Sequence, residues 1–317
     1  MKGRYLDMEY SIELLESSKK IIDGLNALFT KKSDSTSATS SKLGRFEANK
    51  FFIDHSGEAE GVASIEEFCI YRIEDNFQIP VRHYKCNDEK RIIVFAHGGG
   101  WTRGNLQTHD YLCRKIVNML KINVLAVDYR LAPEHIFPTS LNDIASVYSW
   151  CCEKYDKIYI SGDSAGGNLC AALCIKISEE QLRKPEAMIL FYPALGNDFN
   201  TKSYELFGDI IALSRASVIN FLSQYSGEKY NSENFVNNKF IIPNLEENMN
   251  IFPRTFIVSA GCDVLLTEQI NFVEKMRKAG QECEHVILDG AIHGFAMYGK
   301  EFDNYNTNIL QQVYEWI

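Results

Sequence analysis

The sequence lacks any hydrophobic run long enough to cross a bilayer. Its longest apolar stretch is Met188–Leu195, whereas a membrane-spanning helix needs about 20 apolar residues. The N-terminal region also lacks the apolar stretch of a secretory signal peptide, because Asp7, Glu9 and Glu13 fall where that stretch would lie. We therefore predict a cytoplasmic protein without a membrane partner.

Basic residues are also fewer than acidic residues. The 317 residues include 33 Lys and Arg against 42 Asp and Glu, a formal net charge of −9, and such a surface repels a nucleic-acid backbone. Nine cysteines are present, but they form no C-x-x-C pair, and no glycosylation sequon occurs. Neither a disulfide framework nor a structural zinc site is indicated. We predict no nucleic-acid partner, no metal and no cofactor.

The first 45 residues differ in pattern from the rest of the chain. Apolar residues between positions 10 and 29 recur on one stripe, which predicts an amphipathic helix: Ile12, Leu15, Ile22, Leu25 and Leu28. Residues Lys31–Lys42 read KKSDSTSATSSK, a polar segment typical of a linker. We therefore predict an N-terminal helix and linker over residues 1–45 and a main domain over residues 46–317.

From residue 64 onward, strand and helix patterns alternate. Two runs, Ser64–Ile70 and Phe77–Lys85, predict a hairpin at a sheet edge. Apolar runs typical of doubly buried strands follow at Ile92–Ala96, Val124–Val127, Ile158–Ile160, Met188–Tyr192, Phe256–Val258 and Val286–Leu288. The alternation predicts an α/β fold with a mostly parallel central sheet flanked by helices. Residues 198–252 are too many for a simple crossover and predict an insertion.

A G-x-S-x-G motif, Gly162–Gly166, lies between a predicted strand and a predicted helix. In this context a tight turn exposes the serine above the sheet, so Ser164 is the candidate nucleophile. Asp163 is interpreted as a carboxylate that holds a loop by accepting backbone N–H bonds. The HGGG sequence at His97–Gly100 follows another strand and predicts an oxyanion hole with donors from Gly98, Gly99, Gly100 and Ala165.

A general base and an orienting acid are expected after the nucleophile in the chain. Only two of the seven histidines, His285 and His293, meet this condition. His293 lies in a loop beyond the last predicted strand and is the candidate base, while His285 is interpreted as a strand residue. Asp263, at the end of the preceding strand, is the favoured acid. Asp289 competes because it is four residues from His293.

These residues resemble the hormone-sensitive-lipase family of α/β-hydrolases, whose bacterial members include acetyl esterases. The resemblance runs from about residue 85 to the end and rests on six ordered motifs: HGGGW at 97–101, DYRLAPE at 128–134, GDSAGGN at 162–168, YP at 192–193, GCDVLL at 261–266 and HGF at 293–295. It implies the α/β-hydrolase fold and a triad of Ser164, Asp263 and His293. It also implies that the N-terminal helix and the insertion form a helical cap over the site.

We predict a serine carboxylesterase that cleaves small acetyl to butyryl esters through an acyl-enzyme. The polar composition of the predicted cap disfavours long acyl chains, and the substrate is expected to contact Trp101, Leu206 and Phe207. Two alternatives stay open: an amide or formamide hydrolase using the same triad, and a non-catalytic ligand receptor of the same fold. The presence of His293 argues against the receptor. Self-association as a homodimer also stays open.

Overall fold

The computed structural model describes residues 13–30, 41–86, 90–209 and 212–317. Parts of the predicted features lie outside the described residues: Ile12 and the side chain of Leu28 in the apolar stripe, residues 31–40 of the linker, and residues 210–211 of the insertion. The described residues form one eight-stranded sheet and ten α-helices.

The central sheet has the strand order β1-β2-β4-β3-β5-β6-β7-β8. Its strands are β1 (Ser64–Arg72), β2 (Phe77–Lys85), β3 (Arg91–Ala96), β4 (Asn123–Val127), β5 (Lys157–Asp163), β6 (Ala187–Phe191), β7 (Arg254–Cys262) and β8 (Cys283–Ile292). The pairs β1/β2 and β2/β4 are antiparallel, and the other pairs are parallel. The predicted mostly parallel sheet is confirmed, and each predicted strand run lies in one of these strands, except that Tyr192 falls just beyond β6.

Burial explains why short apolar runs form the middle of the sheet. Every residue of β4 and β6 is buried, as expected for strands covered on both faces. By contrast, β1 at the edge is buried only at Ile70. The sheet position that matters most for the site is the pair β3 and β5, whose last paired residues are Ala96 and Gly162. Because these strands are parallel, the glycine loop after β3 and the turn after β5 meet at one edge of the sheet.

The described residues contain more helices than were predicted, including one near each end of the chain. They are α1 (Glu16–Thr30), α2 (Ser41–Asp54), α3 (Asp110–Leu120), α4 (Thr139–Lys154), α5 (Ala165–Glu179), α6 (Lys202–Phe207), α7 (Arg215–Ser226), α8 (Glu233–Val236), α9 (Leu266–Lys278) and α10 (Gly299–Trp316). Helix α3 packs against α10, and α4 packs against α5. Helices α2 and α10 were not predicted from the sequence. Helix α2 begins at Ser41, inside the segment interpreted as a linker.

Among the described residues, the N-terminal helix begins at Glu16, later than predicted, and Leu15 before it bonds to the sheet instead. The backbone N–H of Leu15 donates to the carbonyl of Gly290 at 3.0 Å. The hydroxyl of Ser18 donates to the same carbonyl at 2.8 Å. Ile21 and Leu25 are buried, so the apolar stripe of α1 has the partner surface that its pattern requires. Helix α1 is thereby fixed next to the loop that follows β8.

The predicted insertion connects β6 to β7. Its described residues contain α6, α7, α8 and two short 3-10 helices, Pro243–Leu245 and Met249–Ile251. Helix α7 is capped by Ser214, whose hydroxyl accepts the N–H of Ser217. It ends at Gly227, which has φ 72°, a left-handed conformation that favours glycine. These signals give α7 fixed ends, and this helix forms one wall of the site described below.

Candidate active site

Ser164 lies on a sharp turn between β5 and α5. Its backbone has φ 52° and ψ −118°, a region that residues with a side chain rarely adopt. The two flanking glycines are required by close packing on β3. A Cβ at Gly162 would lie 2.7 Å from the carbonyl oxygen of Ala96, and one at Gly166 would also collide with that oxygen. The motif therefore folds into a strained turn that presents the serine above the sheet edge.

The side chains of Ser164, His293 and Asp263 form one hydrogen-bonded chain. Nε2 of His293 lies 2.8 Å from Oγ of Ser164, and Nδ1 of His293 lies 2.7 Å from Oδ2 of Asp263. The other carboxylate oxygen of Asp263 accepts the N–H of Leu265 at 3.0 Å, and the carboxylate is buried. Asp263 is thus held in place and orients the imidazole so that Nε2 faces the serine.

The two competing residues of the sequence analysis lie elsewhere. Nε2 of His285 is 2.7 Å from Oγ of Ser259 inside the sheet, and burial lowers the pKa of His285 to about 3. Asp289 is exposed on β8, whereas Nδ1 of His293 already contacts Asp263. The structure therefore brings together Ser164, Asp263 and His293, and it leaves both competitors out.

The glycine loop after β3 lines the cavity beside Ser164. Gly99 and Gly100 have φ 119° and 61°, values that favour glycine. A Cβ at Gly100 would lie 2.6 Å from the ring of Phe221 on α7. Within the described part of the chain, the amides of Gly99 and Gly100, and that of Ala165 at the start of α5, have no hydrogen-bond acceptor. These three residues line the cavity beside Ser164, as donors for an oxyanion must.

Gly98 was predicted to be an oxyanion donor, and the structure contradicts this because its amide is engaged elsewhere. Its amide donates to Oδ1 of Asp163 at 2.7 Å, so this N–H is already used and is not available to an oxyanion. Nε2 of His109 also lies 3.0 Å from the same carboxylate oxygen. The interpretation of Asp163 as a loop-holding carboxylate is confirmed, since it ties the glycine loop to the serine turn.

Ser164 opens into a cavity of about 680 Å³. Its walls come from the glycine loop, from α1 and α2, and from α7: among them Leu25, Arg45, Ala48, Phe51, Phe52, Trp101, Arg103, Leu213, Val218, Asn220, Phe221, Gln224, Met297 and Tyr298. Trp101 was predicted to contact substrate, and it does line this cavity. Its indole also stacks on Tyr225 of α7, with ring centroids 4.6 Å apart, so it supports the loop as well.

Leu206 and Phe207 were expected to contact substrate, and this prediction is wrong. Neither belongs to the described wall of the cavity, and Phe207 is buried in the hydrophobic core. The reason is the attachment of α6: the hydroxyl of Ser203 donates to the carbonyl of Val264 at 2.6 Å. Helix α6 therefore packs on the loop after β7, and α7 provides the apolar contact through Phe221.

Two arginines on the cavity wall were not predicted, Arg45 on α2 and Arg103 after the glycine loop. The first was missed because α2 itself was not recognised in the polar N-terminal segment. The second had a signal, since it lies two residues beyond Trp101 and three beyond Gly100. A residue so close to the oxyanion loop is expected at the cavity.

Neither a metal cluster nor a membrane helix is found among the described residues. No three or more His, Cys, Asp or Glu side chains in these ranges are grouped closely enough to hold a metal ion. Of the helices described, none combines the length and apolar character that a bilayer span needs.

The family of the chain follows from a match over most of its length. Residues 93–297 match a protein family described as having the alpha/beta hydrolase fold. This range includes the glycine loop and all three residues of the Ser164, His293 and Asp263 chain. The chain belongs to the hormone-sensitive-lipase-like family of α/β hydrolases.

Relatives of the chain carry the names of ester hydrolases. The carboxylic ester hydrolase LipN of Mycobacterium tuberculosis is 33% identical over 69% of this chain and 61% of that protein. An ethyl acetate hydrolase of Pseudomonas putida is 25% identical over 84% of this chain and 88% of that protein. A solved structure of a fungal esterase from Rhizomucor miehei has a TM-score of 0.85 at 25% identity and covers 96% of each chain. The chain spans only 61%, 62% and 62% of the lengths of three curated relatives, of which LipN is one.

Proposed function

We propose that this α/β hydrolase is a serine carboxylesterase with Ser164 as nucleophile. The observation that carries the proposal is the continuous contact from Ser164 to His293, 2.8 Å, and from His293 to Asp263, 2.7 Å. This chain of contacts opens into a cavity whose wall includes residues with unused amide donors. The ester hydrolase names of the relatives support the same reaction class.

In the first half of the reaction, Oγ of Ser164 attacks the ester carbonyl carbon while its proton passes to Nε2 of His293. The carbonyl oxygen becomes an oxyanion that accepts hydrogen bonds from Gly99, Gly100 and Ala165. When the tetrahedral intermediate collapses, the bond to the alcohol oxygen breaks and His293 gives that oxygen its proton. Asp263 accepts the Nδ1 hydrogen and stabilises the imidazolium. The product of this half is an acyl-enzyme and a free alcohol.

Water completes the cycle by the same groups. His293 takes a proton from a water molecule, and the resulting hydroxide attacks the acyl carbon. Collapse of the second intermediate breaks the bond to Oγ of Ser164, which recovers its proton from His293. The carboxylic acid leaves and the enzyme returns to its starting state.

We propose short acyl groups, acetyl to butyryl, as the preferred substrates. The apolar wall beside Ser164 is interrupted by polar side chains: Arg45, Arg103, Asn220 and Gln224. A long acyl chain would lie against these groups and remove them from water, which costs free energy. The name of the Pseudomonas relative, an ethyl acetate hydrolase, supports the same size class. The cap over this site is proposed to consist of α1, α2 and the insertion at about 198–252.

A series of p-nitrophenyl esters from acetate to palmitate tests this function. We expect kcat/KM to be highest between acetate and butyrate and to fall beyond about six to eight carbons. Ser164→Ala should lose activity by several orders of magnitude with an unchanged melting curve. Activity of Ser164→Ala within tenfold of the parent protein would contradict the nucleophile, and a maximum at decanoate or longer would contradict the size class. The p-nitroanilides of the same acyl groups, assayed beside the esters, measure whether the protein cleaves amides instead.

A further inference from the structure

Arg103 brings a positive charge to the wall of the candidate active site. It lies three residues beyond Gly100, and its backbone N–H donates to the carbonyl of Gly99 at 3.1 Å. The guanidinium carbon lies 4.6 Å from the centroid of the Phe221 ring, and that ring also covers Gly100. The cation is therefore beside the loop that is proposed to bind the oxyanion.

No carboxylate in the described ranges pairs with this guanidinium. The guanidinium lies over the aromatic face of Phe221, which compensates a cation only in part. Burial lowers the pKa of Arg103; the neighbouring Tyr298 raises it and Arg45 lowers it, both by less than burial does. A charge removed from water without an anionic partner is costly. A guanidinium without a carboxylate partner is typical of a binding site in which the bound ligand supplies the negative charge.

Arg45 provides the contrast within the same cavity. Its guanidinium donates to Glu134 at 2.6 Å and 3.2 Å, and to the carbonyls of Thr102 at 2.6 Å and Ala132 at 2.9 Å. These contacts use its donors and neutralise its charge, so Arg45 joins α2 to the loops around the site. Arg103 has no such role, since its side chain holds no loop in the described structure.

Helix α7 adds polar groups around the same place. Asn220 and Gln224 are four residues apart and therefore neighbours on one face of the helix, and both line the cavity together with Phe221. Amide side chains can donate hydrogen bonds to an anionic oxygen. The guanidinium and these amides together can hold a carboxylate, for which arginine has the matching planar geometry.

We propose that the substrate of this enzyme is a small ester that carries a carboxylate, bound by Arg103. The proposal rests on the esterase function proposed above and names its substrate class. The carboxylate belongs either to the acyl part or to the alcohol part of the ester. In either case a carboxylate binds Arg103, and the experiment distinguishes a carboxylate on the acyl part from one on the alcohol part.

Two matched substrate pairs test the proposal by acid release in a pH-stat. For the acyl side, monomethyl glutarate is compared with methyl 5-methylhexanoate, in which an isopropyl group replaces the carboxylate. For the alcohol side, acetoxyacetate is compared with isobutyl acetate in the same way. We expect kcat/KM of the parent protein to favour the anionic member tenfold or more in at least one pair. In Arg103→Met that preference should fall by tenfold or more, and Arg103→Lys should retain part of it.

Arg183→Met is the matched control, because it removes the same charge at an exposed position whose Nη2 donates to the carbonyl of Tyr155. It should leave the preference ratio as in the parent protein. A parent protein that favours the neutral ester in both pairs would overturn the proposal. An unchanged ratio in Arg103→Met would overturn it as well.

Binding without catalysis separates this proposal from the proposed function. In Ser164→Ala, calorimetric titration should give tighter binding of the anionic than of the neutral ester in at least one of the two pairs, and adding Arg103→Met should remove the difference. If no ester is cleaved by the parent protein but this difference is found, the esterase function fails while the carboxylate site stands. If esters are cleaved and the anionic member binds no better than the neutral member in both pairs, the carboxylate site fails. For a variant that does not fold, competition of the same esters against p-nitrophenyl acetate in the parent protein gives the same comparison.

Discussion

The amide of Gly98 donates a 2.7 Å hydrogen bond to the carboxylate of Asp163, the residue immediately before Ser164. This bond joins the two loops that carry the proposed oxyanion donors and the nucleophile. Because Asp163 is fully buried, the bond is shielded from water and is not easily replaced. The relative position of the two loops therefore depends on the side chain of Asp163.

Asp163→Ala is expected to lower kcat by about 10- to 100-fold, less than the loss of a whole oxyanion donor, which costs about 10²–10³-fold. KM should change less than kcat, since the side chain of Asp163 is fully buried. Asp163→Asn retains an oxygen acceptor for Gly98 and should recover much of the rate. Steady-state kinetics on p-nitrophenyl acetate measure both variants. Equal rates for Asp163→Ala and the parent protein would contradict the positioning role.

The acid of the triad is tested by two aspartate variants with the same chemical change. Asp263→Asn should lower kcat by several orders of magnitude, because an amide cannot hold the Nδ1 hydrogen of His293 in the correct tautomer. Asp289→Asn should retain most activity, since Asp289 is exposed on β8. A larger loss in Asp289→Asn than in Asp263→Asn would reverse the assignment.

Gly100→Ala tests the close contact between the glycine loop and α7. The new Cβ would lie 2.6 Å from the Phe221 ring, so either the loop or the helix must shift, and kcat should fall tenfold or more. Gly280→Ala is the control: Gly280 also has positive φ, 77°, but its Cβ would meet nothing within 4 Å. It should cost stability of about 1 kcal/mol through backbone strain alone and leave kcat unchanged. Thermal melts and kinetics on both variants separate strain from displacement.

Because burial lowers the pKa of His285, we expect the free energy of unfolding to decrease in acid. Burial, with a smaller effect of Arg277, lowers its folded-state pKa to about 3, whereas an unfolded histidine has a pKa of about 6.5. Between these values only the unfolded chain binds the proton, so the free energy of unfolding decreases as pH falls from about 6.5 toward 3. At pH 5 this amounts to about 1–2 kcal/mol.

His285→Gln removes this titration and should lose less stability between pH 7 and pH 5 than the parent protein does. Urea denaturation at the two pH values measures the difference, and activity at pH 7 should be retained because His285 contacts Ser259 and not the site. An identical pH dependence in the variant would show that other groups cause the acid sensitivity.

The sheet and the contacts that join Ser164, His293 and Asp263 could be predicted because their signals are local. A buried strand needs a short apolar run, as at Met188–Tyr192, and the serine turn needs glycines at fixed positions. The wall of the cavity could not be predicted in this way. Phe207 and Phe221 are both apolar residues of the insertion, but Phe207 is buried on α6, which Ser203 anchors to the carbonyl of Val264, whereas Phe221 lines the cavity. Helix α2 was missed because its first residues continue a polar segment.

The N-terminal helix gives the last prediction, that deleting residues 1–30 lowers activity without disabling the nucleophile. Leu25 lines the cavity, and Leu15 and Ser18 both bind the carbonyl of Gly290, three residues before His293. Their removal exposes apolar surface and loosens the loop that carries the base, so we expect kcat/KM to fall about tenfold or more and chain-length preference to broaden. A fluorophosphonate probe should still label Ser164 in the truncated protein, because the serine turn is held by β3 and β5. Ser18→Ala is the matched point variant and should show a smaller loss in the same direction, since Leu15 still binds Gly290. Full activity and unchanged preference after truncation would mean that α1 is not part of the cap.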